Sequence, residues 1–137
     1  MDDLSSSSKI AAYGMKAQAT RLRVISENLA NADSEAPGPG VDPYRRKVIT
    51  FKNHLDRQLN ATVVGVQKVT YDKTDFEMRY DPTHPGADAD GYIRMPNVKP
   101  LIELMDMREA QRTYEANLNV IEASRGMLMR TIELLRT

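Results

Sequence analysis

Residues 98–137 carry an apolar repeat that constrains this chain more than any other feature. Leu104, Met107, Tyr114, Leu118, Ile121, Leu128, Ile132 and Leu135 recur at alternating steps of three and four. That is the a/d spacing of a coiled coil, and only Gln111 and Arg125 break it. No proline follows Pro100, and Gly126 is the only glycine in the stretch. The spacing predicts one continuous helix, on the order of 60 Å long at ~1.5 Å per residue. A helix of that length has little to pack against inside 137 residues. Its partner is therefore expected to be partly another molecule.

The opposite end of the chain uses the same pattern. Met1 to Ser8 is polar and Ser-rich and is expected to be disordered when alone. From Lys9 to Ala32 a second helix is expected, with Ala11, Met15, Gln18, Leu22, Ile25, Leu29 and Ala32 on its seam. Gly14 weakens it by roughly 1 kcal/mol relative to alanine. Its many small residues, among them Ala11, Gly14 and Ala17, allow a neighbouring helix to come close.

Between the helices the period changes to two. Pro37, Gly38, Pro39, Gly40 and Pro43 make 34–43 a stiff loop. Residues 44–51 and 62–71 read as strands. So does 74–80, where Phe76, Met78 and Tyr80 alternate with Asp75, Glu77 and Arg79 to give one apolar and one wet face. Turns follow at Asp81-Pro82, His84-Pro85-Gly86 and Asp90-Gly91, then a short extended piece at 92–95. Asn97 is the expected N-cap of the long helix, with Pro100 in its first turn. The fold class is α+β: long N- and C-terminal coiled-coil helices flanking a small β-rich insert. The expected division is 1–33 (disordered tip and helix), 34–97 (loop and insert) and 98–137 (long helix pairing with the N-terminal one). An insert of that size is marginal alone. The chain therefore reads as a subunit of an assembly, whose ends order fully on packing.

Charge argues against nucleic acid or an anionic membrane as partner. Nineteen Lys and Arg balance nineteen Asp and Glu, and the balance holds within each of the three segments. Without cysteine there is no disulfide and no thiolate metal site. No apolar run reaches the ~18 residues of a membrane span. The N-terminus lacks the apolar core of a cleavable signal peptide, so passage out of the cytoplasm would need another route.

No catalytic signature emerges, and neither a cofactor nor a metal is expected. His54 reads as solvated and His84 as a turn residue, and neither has a helical i,i+4 histidine partner. Asp81, Asp88 and Asp90 fail the spacing of a calcium loop and read as turn carboxylates bonding their own backbone. Arg45-Arg46-Lys47 reads as a solvated strand face. Four helix amides, Asn28, Asn31, Asn117 and Asn119, have two readings: caps and solvated positions, or bonds across a helix interface that fix its register.

The stretch Ile10-Ala11-Ala12-Tyr13-Gly14-Met15, continued by Gln18, Arg21-Leu22 and Ser26-Glu27-Asn28-Leu29-Ala30-Asn31-Ala32-Asp33-Ser34, resembles the N-terminal motif of flagellar axial rod and hook proteins. Arg112-Thr113-Tyr114-Glu115-Ala116-Asn117-Leu118 is similar to that family's C-terminal motif. Tyr44-Arg45, Tyr80-Asp81-Pro82, His84-Pro85, Asp88-Ala89-Asp90-Gly91-Tyr92 and Met95-Pro96-Asn97-Val98 resemble its short proximal-rod branch. Tyr13 stands where the class usually has a small residue, and Glu27 where it has a small or amide residue.

The resemblance implies a non-catalytic subunit of the flagellar basal-body rod. Such a subunit is exported unfolded by the flagellar type III apparatus, without a cleaved signal, and assembles in the periplasm. Its implied partners are FlgB, FlgF and FlgG, the adaptor FliE and further copies of itself. The terminal helices would form an inner coiled-coil layer that transmits torque from motor to hook, with the insert outside it. The residues expected at partner interfaces are Leu22, Val24, Ile25, Asn28, Leu29, Asn31, Tyr114, Asn117, Leu118, Ile121 and Leu128. The competing reading is a cytoplasmic coiled-coil adaptor with a β insert, which requires a stable oligomer of the free chain. An enzyme such as a cell-wall hydrolase is a more distant reading, because the chain lacks an acid/base pair.

Overall fold

The computed structural model describes residues 2–137. Six elements follow in chain order. Helix α1 (Asp2–Ala30) leads into strands β1 (Lys47–Asp56), β2 (Ala61–Tyr71), β3 (Glu77–Tyr80) and β4 (Tyr92–Met95), and the chain ends in helix α2 (Pro100–Arg136). The class is α+β, with two long helices flanking a small antiparallel sheet region. No helix among the described residues is long and apolar enough to cross a membrane.

α1 starts seven residues ahead of the expected Lys9, so residues 2–8 are helical where a disordered tip was expected. Asp2 and Asp3 place negative charge at the positive end of the helix dipole, and the Ser7 hydroxyl donates to the Asp3 carbonyl. At its other end the Asn31 side-chain amide donates to the Glu27 carbonyl, and the Ser34 hydroxyl donates to Asn31 Oδ1. Residue 31 thus caps the last turn. α2 starts at Pro100, where a missing N–H costs nothing. Asn97 is not its cap. The Glu103 N–H bonds the Lys99 carbonyl, so Lys99 occupies the cap position. The Asn97 side chain instead accepts from the Arg46 N–H and donates to the carbonyls of Asp72 and Thr74.

The chain divides into two compact units. One contains 2–22, 50–68 and 108–137. Its buried side chains include Ala11, Ala17, Val63 and Ala110. β1 and β2 pair here through the turn 57–60, which closes on Asp56: its Oδ1 accepts the N–H groups of Gln58 and Leu59, and Asn60 takes φ 47°. That closure carries β1 five residues past the expected end at Phe51. Asp56 Oδ2 accepts the Tyr13 hydroxyl at 2.8 Å, which ties the turn to α1.

The other unit contains 23–49 and 69–107, with Val24, Ile25, Ala36, Ile93 and Val98 buried. β3 and β4 pair antiparallel, Met78 opposite Arg94 and Tyr80 opposite Tyr92. The wet-and-dry alternation expected at 74–80 does not bury a face: all four residues of β3 are exposed, Met78 at 53% and Tyr80 at 65%. Tyr80 stacks edge-on with Tyr92, and the Arg45 guanidinium covers Phe76 at 4.2 Å. The 34–43 loop lies on this unit. Tyr44 N–H bonds the Ser34 carbonyl, Ala36 N–H bonds the Arg94 carbonyl, and Arg94 reaches Asp42 at 2.6 Å. Glu35 receives Arg79 and His84 Nε2, each at 2.7 Å. Gly86 is pressed against this loop, and a Cβ on it would stand 2.2 Å from the Ala36 carbonyl oxygen. Since this nearest neighbour is backbone rather than the end of a flexible side chain, Gly86→Ala should cost about 1–3 kcal/mol. A lowered urea midpoint at unchanged slope would register it.

Candidate assembly interface

The buried stripes of both helices keep the expected seven-residue period, but on each helix only half of the expected seam keeps its phase. On α2 the innermost positions are Glu103, Ala110 and Ser124, with Asn117 half-buried between the last two. These lie one residue, or about 100° of helix, before the expected 104, 111, 118 and 125. Met107, Tyr114, Ile121 and Leu128, the other half of the expected seam, are half-buried. On α1 Ala11 and Ile25 are buried as the seam requires, but Gly14 and Asn28 replace Met15 and Leu29 as its innermost residues. Gly14 and Ala110 take their places because small residues let a neighbouring element come close, whereas Glu103 and Asn28 are held by polar partners, Arg46 and the Lys47 backbone.

The approach is visible within the unit that holds 2–22 and 108–137. Asn117 lies over Gly14, its Nδ2 2.8 Å from where a Cβ would stand, and Arg21 lies 3.6 Å from Glu109. Numbers fall along α1 as they rise along α2, so the two helices run antiparallel there. Asn117 fits because residue 14 has no side chain.

The residues singled out from sequence separate by exposure. Val24 and Ile25 are each 3% exposed and Asn28 is 1% exposed, so the chain itself covers them. Leu22, Leu29, Asn31, Tyr114, Asn117, Ile121 and Leu128 are half-buried. Leu118 is exposed at 37%, as are Leu104 and Ile132 on the same side of α2 at 44% and 39%. Asn28 works inside the chain. Its Oδ1 accepts the Lys47 N–H and the Tyr44 hydroxyl, and its Nδ2 donates to the Lys47 carbonyl, all within 2.8–2.9 Å. One side chain thereby satisfies both backbone groups of the first β1 residue.

Beyond Gly126, α2 presents apolar side chains round most of its circumference. Met127, Met129, Leu134 and Leu135 are 55%, 57%, 76% and 74% exposed, and Arg130, Glu133 and Arg136 form a charged strip on the remaining side. A helix apolar on most sides is stable in water only when it is enclosed. In the other unit, α2 exposes Leu101, Ile102 and Met105.

The basic triplet is not a solvated face, and this corrects the sequence reading. Arg45 donates to the carbonyls of Asp72 and Thr74. Arg46 pairs through Nε with Glu103 and reaches Asp72 at 3.3 Å. Lys47 meets Glu27 at 2.8 Å. These partners lie 20 to 57 residues away in sequence, where no local pattern could reveal them. The expected turn role holds for Asp88, whose Oδ1 accepts the N–H groups of Asp90 and Tyr92, while the Asp81 carboxylate accepts the Thr83 side-chain hydroxyl. His84 Nδ1 accepts the Gly86 N–H.

These pairings set an acid response. The Lys47 ammonium holds the Glu27 carboxyl below its ordinary value, and the Thr74 N–H chiefly does the same for Asp72, with help from Arg46. The Tyr13 hydroxyl chiefly lowers Asp56, and the Asp56 carboxylate in turn raises Tyr13. A carboxyl lowered in the folded state adds stability above its unfolded value and loses it as pH falls through the folded one. Melting temperature should therefore drop below the usual carboxylate range, under about pH 4. Asp72→Asn should shallow that drop while lowering stability at neutral pH. An unchanged acid profile would exclude Asp72 as a contributor.

Known proteins match both ends and nearly the whole length of the chain. The family profile described as Flagella basal body rod protein matches residues 9–38, and that described as Flagellar basal body rod FlgEFG protein C-terminal matches 89–134. The flagellar basal-body rod protein FlgC of Agrobacterium fabrum is 52% identical over 136 residues, 99% of this chain and 98% of that protein. FlgC of Bacillus subtilis is 39% identical, covering 91% of this chain and 93% of its own. FlgC of Salmonella typhimurium is 37% identical, covering 91% and 92%. With both helices matched and the insert between them aligned, the chain belongs to the FlgC family of flagellar basal-body rod proteins, structural subunits of the flagellar rod.

Proposed function

We propose that the two terminal helices pack, by coiled-coil contacts with neighbouring subunits, into the inner layer of the rod, and that the 34–97 insert lies outside it. The chain then transmits torque as part of the proximal rod and catalyses nothing. The division into 1–33, 34–97 and 98–137 follows these roles. The observation that carries this reading is α2 beyond Gly126, apolar on most sides and exposed in the single chain. Neighbours enclose it, through Leu118 and Ile132 and with Leu22 and Leu29 on α1. Val24, Ile25 and Asn28 support that surface from within. FlgB, FlgF, FlgG, FliE and further copies of the chain are the proposed neighbours. The subunit reaches the periplasm through the flagellar type III apparatus without a cleaved signal.

The test is mass spectrometry of detergent-extracted basal bodies after salt and detergent washes. Retention of the chain, with loss of the rod on deletion of its gene, supports the reading. Complete basal bodies lacking the chain would overturn it in favour of a cytoplasmic adaptor.

A further inference from the structure

Beside the start of α2, within the unit that holds 23–49 and 69–107, lies a cavity of about 390 Å³. Four carboxylates line it, Asp72, Asp75, Glu77 and Glu103, against two cations, Arg46 and Lys99. The chain as a whole is neutral, so this is a local acidic excess. Arg46 is shared between Glu103 and Asp72. The Glu103 side chain is 1% exposed, and its Oε2 has no hydrogen-bond partner. Among the described residues Asp75 and Glu77 make no ion pair. A buried carboxylate with one oxygen unpaired, in an acidic surround, stays costly until another positive donor arrives.

We propose that this cavity receives one arginine or lysine side chain from a neighbouring rod subunit. The inference rests on the rod reading above and adds a site to it. Three observations select a side chain over a free ion. The cavity is far larger than the ~30 Å³ share of a single water. No group of three or more acidic, histidine or cysteine side chains among the described residues is arranged to hold a metal ion. Ile102, 52% exposed, supplies an apolar wall suited to the methylene stem of a basic residue. The neighbour is already at hand in that reading, since Leu101, Leu104 and Met105 expose apolar surface on the same turns of α2. The incoming cation neutralises the acidic excess, and it selects against neighbours presenting an acid at that point.

The test replaces the two exposed carboxylates in cells, as Asp75→Asn with Glu77→Gln and as Asp75→Lys with Glu77→Lys. Retention of the chain in washed basal bodies and swimming are the readouts, with melting of each purified variant as the check on folding. The neutral pair should be retained roughly tenfold less than wild type at raised salt, and the lysine pair should give no rods. Second-site changes from a basic to an acidic residue in a neighbouring rod subunit should restore swimming to the lysine pair. Wild-type swimming and retention in both variants overturn the proposal. So does an assembly defect in the lysine pair alone with full retention of the neutral pair, since that shows only repulsion. Absence of the wild-type chain from basal bodies would instead overturn the rod reading itself.

Discussion

Cells carrying Leu118→Asp should make the subunit at normal levels, build no rods and fail to swim. The expectation comes from two environments of one side chain. In the single chain Leu118 is 37% exposed, on the outward side of the α2 stripe formed by Ala110, Asn117 and Ser124. A carboxylate there reaches water, so folding should change by about 0.5 kcal/mol or less. In the proposed rod packing the same carboxylate would lose water without gaining a cation, a penalty of several kcal/mol per subunit. Every copy repeats it, so assembly fails although each chain folds. Leu118→Met keeps volume and polarity and should swim. Immunoblots for the subunit, electron microscopy of basal bodies and swimming in soft agar make the comparison. Normal swimming by Leu118→Asp would remove Leu118 from the interface.

The contrast between Leu118 and Asn117 also shows what the amino-acid pattern discloses. Heptad periodicity is plain at both ends of the chain, because Leu, Met and Ile recur strongly. Its phase is not, because the largest apolar residues mark the seam in sequence while the closest backbone approach selects glycine, alanine and serine. The structure puts Asn117 over Gly14 and leaves Leu104, Leu118 and Ile132 partly outside. The small residues of α1 are visible in the sequence; the precedence of Gly14 over Met15, and of Asn28 over Leu29, is not. β2 and β4 match their expected spans nearly to the residue, since β2 is rich in Val, Thr and Tyr and β4 is bounded by Gly91 and Pro96. Long-range polar pairings were hidden throughout. Arg46 meets Glu103 across 57 residues, and Asn97 bonds the chain near Arg46 and Asp72 rather than capping the helix beside it. A side chain with donors and acceptors looks the same in sequence whether it serves its own turn or a distant one.

Asn28 is the sharpest case, and its replacement should be the most damaging single change to folding. It is 1% exposed and makes three hydrogen bonds, two to the backbone of Lys47 and one to the Tyr44 hydroxyl. Asn28→Ala removes all three and leaves the Lys47 N–H and carbonyl without their side-chain partners. At roughly 1–3 kcal/mol for each buried group left unpaired, the loss should come to about 3 kcal/mol or more. Asn28→Asp separates the donor from the acceptor. The carboxylate can still accept from the Lys47 N–H and the Tyr44 hydroxyl, but it cannot donate to the Lys47 carbonyl and faces that oxygen with a negative charge. Burial and that repulsion raise the folded-state pKa of the new Asp above its unfolded value. A raised carboxyl destabilises above the unfolded value, and the penalty shrinks as pH falls and the proton returns. Protonated, the acid presents one donor and one acceptor much as the amide does. Asn28→Asp should therefore melt well below wild type at pH 7 and close much of the gap near pH 4, while Asn28→Ala keeps its deficit at both. Melting curves of the three proteins at the two pH values decide it. A deficit for Asn28→Ala under about 1 kcal/mol would mean that water replaces these bonds at little cost. A deficit for Asn28→Asp that does not narrow on acidification would mean that the missing donor is not what the site needs.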